Sequence, residues 1–212
     1  SVSINNGTNI TPSTLTIIVE DDMPIALNTT QDIDVGTENY NVMIMLDVSG
    51  SMGWDSGVYE GSNQLTRLEV AKQSISDMLD EYELMGNVNV QIGTFSSSYS
   101  TPYSEWISVS EAKSYLIGLT DGGGTNYDYA LDGLETMFDT SGKIEGGQNL
   151  SYFFSDGEPN SGDEIDANDQ ALWETFVKDN NIISNAVGLG VSAVADELDP
   201  IAYNGVEEEQ ID

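Results

Sequence analysis

The sequence predicts an α/β fold: a doubly wound, mainly parallel sheet with helices on both faces, preceded by a short β-rich segment. Two observations carry this. Val42–Leu46 is continuously apolar, as expected of a central parallel strand covered on both sides. From Tyr40 onward, apolar runs alternate with stretches whose apolar residues recur at three- and four-residue spacing. Such strand–helix alternation belongs to sheets closed by helical crossovers.

The elements follow in order. Leu15–Val19 is a β-rich run that stops abruptly at Glu20-Asp21-Asp22-Met23-Pro24, the profile of the last strand of a preceding β-sandwich-like domain over residues 1–26. The acids there either bind calcium at the junction or form a solvated turn. Residues 27–39 are polar and acidic and are assigned to a linker, leaving 40–212 as the α/β domain. Within it, Leu68, Ala71, Ile75, Met78, Leu79 and Tyr82 mark a first helix. Val88, Val90 and Ile92 alternate ahead of Phe95 as a strand, and Tyr103–Ile107 is expected as a short edge strand. Ala112, Leu116 and Leu119, then Leu131, Leu134 and Phe138, place two more helices. Leu150–Phe154 is a buried strand. Leu172, Trp173, Phe176 and Val177 share a helical face, Ile182–Leu189 is the next strand, and Val194, Leu198 and Ile201 close with helical turns.

Composition narrows the chemistry. The chain has 212 residues, 39% of them hydrophobic, enough for one sizeable core. It holds no apolar run of about 18 residues, the length a membrane-spanning helix needs. Its first residues lack the basic start and apolar middle of a signal peptide, so the segment is expected to come from within a longer polypeptide. The absence of cysteine excludes a small disulfide-stapled domain, and the absence of histidine removes imidazole bases and imidazole metal ligands. Oxygen donors remain abundant, and these suit Ca²⁺ and Mg²⁺. Thirty-seven acidic residues against 5 basic ones, a net charge of -32, repel phosphate backbones and exclude nucleic acid as a partner. Such acidity serves either solubility in salt or folding in a calcium-rich exterior. The second is favoured here because the acids recur in turns.

In a doubly wound sheet, ligands bind beyond the carboxyl ends of the strands. Three oxygen-bearing loops are expected there: Asp47-Val48-Ser49-Gly50-Ser51 after the central strand, Asp121-Gly122-Gly123-Gly124-Thr125-Asn126, and Ser155-Asp156-Gly157-Glu158. Alternate spacing lets Asp47, Ser49 and Ser51 point one way, and Gly50 lets the backbone curl. Asp47-x-Ser49-x-Ser51, Thr125 after glycines, and Asp156 before Gly157 together resemble the metal-ion-dependent adhesion site (MIDAS) of von Willebrand factor A (VWA) domains. The resemblance covers about Tyr40 to Tyr203. It implies that Ser49, Ser51 and Thr125 ligate a divalent cation directly or through water, with Asp47 and Asp156 as ligands or holders of ligating water. Ca²⁺ is expected, with Mg²⁺ possible at the same site. It also implies an open position for an acidic residue of a protein ligand or neighbouring domain. A VWA domain ordinarily ends in a sixth strand and a terminal helix, and the residues after Ile201 are too few and too acidic for both, which leaves an edge of the sheet in question. The acidity, the lack of cysteine and the lead-in Ile18-Val19-Glu20-Asp21-Asp22-Met23-Pro24 resemble the VWA module of large bacterial repeats-in-toxin (RTX) adhesins.

Other polar clusters have plainer readings. Trp54, Asp55, Tyr59 and Glu60 either rim the site or form a surface loop. Asp163, Glu164, Asp166 and Asp169 are a second calcium site or, as favoured here, a solvated loop with the charge pattern of a helix start. Trp106, Trp173, Met43 and Met45 are assigned to the core. The functional expectation is a secreted, cell-surface binding module rather than an enzyme. The alternative is a calcium-rigidified spacer. A phosphotransferase of the haloacid dehalogenase type would need an aspartate where Ser49 stands, and no hydroxyl here has an evident partner base.

Overall fold

The computed structural model describes residues 2–5, 10–13, 33–34, 38–157, 159–190 and 195–211. Leu15–Val19, the acids Glu20–Asp22 and Val194 lie outside the described residues. The chain divides into two compact units, Ser1–Glu38 and Asn39–Asp212. In the first, β1 (Val2–Asn5) pairs antiparallel with β2 (Ile10–Ser13) and parallel with β3 (Ile33–Asp34). That last pairing falls within the stretch assigned above to a linker.

The second unit runs from β4 (Glu38–Asp47) into a hairpin, β5 (Asp55–Glu60) and β6 (Asn63–Thr66), then α1 (Arg67–Met85), β7 (Gly86–Phe95) and β8 (Tyr99–Ser100). It continues through α2 (Val109–Ile117), α3 (Tyr127–Phe138), β9 (Gln148–Ser155), α4 (Ala167–Asp179) and β10 (Ile182–Gly188). It closes with α5 (Ala195–Leu198), β11 (Tyr203–Asn204) and β12 (Glu209–Gln210). The main sheet has the order β12-β11-β10-β9-β4-β7-β8. Its centre is parallel, with β10 on β9 and β9 on β4 in continuous register, as the sequence predicts.

The alternation of β4 divides the core. Val42, Ile44 and Leu46 face one way and pack with Leu68, Ala71, Ile75 and Leu79 of α1 and with Ala112 and Leu116 of α2. Met43 and Met45 face the other way, among Ala130, Leu134 and Met137 of α3 and Trp173 of α4. All five strand residues are fully buried, each side chain worth about 2–3 kcal/mol of burial. Trp106 and Trp173 are core residues as expected. The start of α1 is fixed by a capping box, in which Thr66 accepts from the Glu69 N–H and the Glu69 carboxylate accepts from the Thr66 N–H.

One expectation needs correction. Tyr103–Ile107 is not a strand; only Val90–Ile107 and Glu105–Ser141 make single bridges, and Tyr99–Ser100 takes the edge beside β7. A residue run broken by Pro102 and Ser104 cannot keep a ladder of backbone donors in step. At the other edge, the acidic tail does supply strand structure. Tyr203 and Asn204 pair antiparallel with Ser184 and Ile183 of β10, and Glu209–Gln210 folds back on them.

Candidate metal centre

Leaving β4, the chain proceeds to β7 on one side; it returns later to β9 on the other. The reversal sets the carboxyl ends of β4 and β9 side by side, where Leu46 is in register with Phe154 and where ligands of such sheets bind. Asp47 and Asp156 therefore emerge side by side.

The first loop is a tight turn. The Asp47 Oδ1 accepts from the Ser49 N–H at 2.7 Å, and a short 3₁₀ turn over Gly50–Gly53 drives Met52 into the α1–α2 side of the core, where it is fully buried. Asp47 Oδ2 accepts from the Ser155 hydroxyl at 2.6 Å. The Tyr127 hydroxyl lies 2.9 Å from Ser155 Oγ and 2.6 Å from the Gly157 carbonyl, donating between them. Burial and the neighbouring Asp47 and Asp156 charges push the Tyr127 hydroxyl far up, so it stays a donor.

The first and third loops are joined by oxygen atoms. Ser49 Oγ and Ser51 Oγ are 3.0 Å apart, and Ser51 Oγ donates to Asp156 Oδ1 at 2.8 Å. The other carboxylate oxygen of Asp156 takes the Arg67 guanidinium at 2.5 Å. The second loop is held by its backbone. Gly122 N–H donates to the Val48 carbonyl at 2.7 Å, and Gly50 N–H donates to the Gly123 carbonyl at 3.1 Å. Gly123 has a φ of +91°, which admits glycine readily. Asn126 N–H bonds the Ser96 carbonyl and Asn160 N–H bonds the Thr125 carbonyl, and Thr125 is buried; its hydroxyl makes no hydrogen bond to the serines of the first loop, and the loops meet through Gly50 and Gly123. Gly50 itself is not in a left-handed conformation, so its place in the turn comes from its N–H. Gly53 and Gly124 are crowded positions, since a Cβ would overlap the Asp121 carboxylate at the first and the Asn160 amide at the second.

The electrostatics of this cluster fit a divalent cation. Burial pushes Asp47 up to about 6, against hydrogen bonds from Ser155 and Ser49 that hold it down, and the nearby Asp156 charge adds to the rise. A fully buried carboxylate in that condition lacks positive charge. Asp47, Asp156 and the serine hydroxyls are all hard oxygen donors. Among the described residues, no three carboxylates gather at one point, so a cation here would rely on hydroxyls. The acids considered above for a second calcium site are engaged locally. Asp163 accepts from Asn126 Nδ2, Glu164 from the Gly162 N–H, and Asp166 and Asp169 form the capping box of α4.

Arg67, Ser155 and Tyr127 are contributors that the sequence reading missed. A signal for Arg67 existed: it is one of 5 basic residues in a chain of charge -32, placed just ahead of an apolar helix. The residues considered for a rim form the β5–β6 hairpin. Its two-residue turn has Gly61 at φ +64°, and its base is closed by Arg67 N–H to the Trp54 carbonyl at 2.9 Å. Trp54 is 63% exposed and its ring lies under the Arg67 guanidinium, 5.5 Å from the ring centroid.

Comparison with known proteins agrees with this fold. The family model described as von Willebrand factor type A domain matches residues 42–158. Proximal thread matrix protein 1 from the mussel byssus, in a structure described as having a zinc occupied MIDAS motif, is 16% identical with a TM-score of 0.57, over 78% of this chain and 39% of that one. An aerotolerance-related membrane protein from Bacteroides fragilis is 24% identical with a TM-score of 0.55, over 81% of this chain and 79% of that one. A von Willebrand factor type A protein from Catenulispora acidiphila is 20% identical with a TM-score of 0.56, over 78% and 36%. At these identities the likeness is one of fold. No curated protein sequence matches the chain. Among the described residues, no helix is long and apolar enough to cross a membrane.

Proposed function

The chain belongs to the von Willebrand factor type A family, and from that premise we propose that it is a binding module that holds a divalent cation with Asp47, Ser49, Ser51, Thr125 and Asp156. Domains of this family often bind metal at such a site and mediate protein interactions. The observation that carries the proposal is the chain Ser49 Oγ–Ser51 Oγ–Asp156 Oδ1, with links of 3.0 and 2.8 Å, which brings donors of two separate loops to one point. Asp47 and Asp156 supply the negative charge; the serine and threonine hydroxyls add neutral oxygen donors; Ser155 and Tyr127 hold Asp47 in orientation. When bound, the cation supplies an electrophilic position that can accept a carboxylate from a partner protein.

The finer reading is an adhesion module of a bacterial surface protein of the RTX adhesin kind, acting outside the cell and without catalysis. Its support is compositional: 37 acidic residues, no cysteine and no histidine. The same composition favours Ca²⁺. The compact pair of serine hydroxyls, 3.0 Å apart, suits Mg²⁺ as well.

Calorimetry of the chelator-treated protein with CaCl₂ and with MgCl₂ tests the site and chooses the ion. Asp47→Ala removes one of the two aspartates and should abolish the binding while circular dichroism stays unchanged. Unaltered binding by that variant would place the ion elsewhere. Peptides bearing a single Glu or Asp, tested with cation and with EDTA, separate recognition from a spacer role: recognition requires cation-dependent capture with the fold retained in both.

A further inference from the structure

Four of the 5 basic residues serve the outside of the molecule. Lys72 caps the Leu119 carbonyl, Lys113 pairs with Asp80, Lys178 with Glu208, and Lys143 lies over the Phe138 ring. Arg67 alone is carried inward. Its side chain is 10% exposed, and its guanidinium contacts the fully buried Asp156. The enclosure is assembled from distant parts of the chain: the Trp54 ring at the hairpin base, Asp156 beyond β9, and Gly190 beyond β10. Gly190 has a φ of +86°, and a Cβ there would stand 3.3 Å from Arg67 Nε and 3.7 Å from its Cζ. The backbone comes close because no side chain intervenes.

We infer that Arg67 is a tethered counter-charge of the cation site, holding the loops together when the site is empty of metal and setting how tightly a divalent cation binds. This rests on the reading above that Asp47 and Asp156 hold such an ion. With both aspartates ionised, Arg67 reduces the net charge of these described groups from two negatives to one. It would also repel a bound ion directly, from the far side of the Asp156 carboxylate and largely out of water. Both effects weaken binding, so the affinity is set by a charge that belongs to the fold and cannot diffuse away. With Arg67 in place the three buried groups carry one net negative charge when the ion leaves, a smaller repulsion for the loops to withstand than two.

The rival role is positional: the guanidinium would merely orient Asp156, and losing it would weaken binding. Arg67→Gln and Arg67→Lys separate the two. Lysine keeps the charge but loses the planar fork. Titration of the chelator-treated parent and both variants with CaCl₂ and MgCl₂, at fixed ionic strength, should show Arg67→Gln binding tighter by on the order of tenfold or more, and Arg67→Lys close to the parent. In EDTA, Arg67→Gln should melt below the parent, and saturating cation should narrow the gap. Equal or weaker binding by Arg67→Gln overturns the inference. If that variant unfolds in EDTA, refolding on addition of cation supports the inference, and failure to refold overturns it. Should the parent bind neither ion, the cation-site proposal fails. A variant Arg67→Gln that then does bind one upholds the counter-charge role, and one that does not removes it too.

Discussion

Asp47→Asn should stabilise the metal-free protein while destroying its cation site. Asp47 is fully buried and pushed up to about 6 from 3.8, chiefly by burial. That rise corresponds to about 3 kcal/mol by which ionised Asp47 opposes folding at neutral pH. Asparagine has nearly the same shape and retains an oxygen for the Ser49 N–H. Its amide nitrogen cannot accept from Ser155, and the buried serine hydroxyl left without an acceptor costs about 1–2 kcal/mol. The net gain is about 1–2 kcal/mol, or a melting temperature higher by about 5 °C for a domain of this size. The direction with pH follows from the raised value. Between 3.8 and about 6 the folded protein holds a proton that the unfolded chain has released. The parent's proton-linked stability is therefore complete below 3.8 and lost as pH rises through about 6. The variant lacks this proton, so its advantage should be full above pH 6 and should close as pH falls toward 3.8. Urea or thermal unfolding in EDTA from pH 4 to 8, parent against variant, measures it. A variant that melts lower than the parent at pH 7.5, or a gap indifferent to pH, would refute the reasoning.

Three further outcomes are expected. Cation at about a hundred times its dissociation constant should stabilise the parent by about 2.7 kcal/mol, and EDTA should reverse the rise in melting temperature. Ile44→Ala, at a fully buried position between β4 and α1, should cost about 2–5 kcal/mol in chemical denaturation. Gly205→Ala places a Cβ into the Val177 carbonyl oxygen and 2.7 Å from the Ile182 carbonyl oxygen. Backbone cannot give way as a side chain does, so the β11–β12 hairpin should lift from β10; faster amide hydrogen exchange at Gly205, whose N–H bonds the Ile182 carbonyl, reports it.

The elements legible in the sequence were those with a strong period or a continuous apolar run. Val42–Leu46 could only be a covered strand, and the Leu68–Leu79 stripe only a helix face. The loop Asp47-Val48-Ser49-Gly50-Ser51 was legible because its donors alternate and its place after a central strand fixes where they point. Arg67 was not, because its partner Asp156 is 89 residues away and a charge at a helix start has many ordinary explanations. Ser155 and Tyr127 were hidden for a similar reason: their part is to support Asp47, and neither residue type announces that. The hairpin had a signal, Glu60-Gly61-Ser62-Asn63, but its flanks lack the alternation that identifies paired strands. At the sheet edges, pairing of two residues at a time is decided by what a neighbouring strand leaves open, which no local pattern records.

The sheet ends on both sides in strands of 2 residues, Tyr99–Ser100 and Glu209–Gln210. A rung that short exposes about 7 Å of backbone, too little for another copy to find register and extend the ladder. These two terminal rungs by themselves therefore offer another copy almost no template for fusing sheets into fibres.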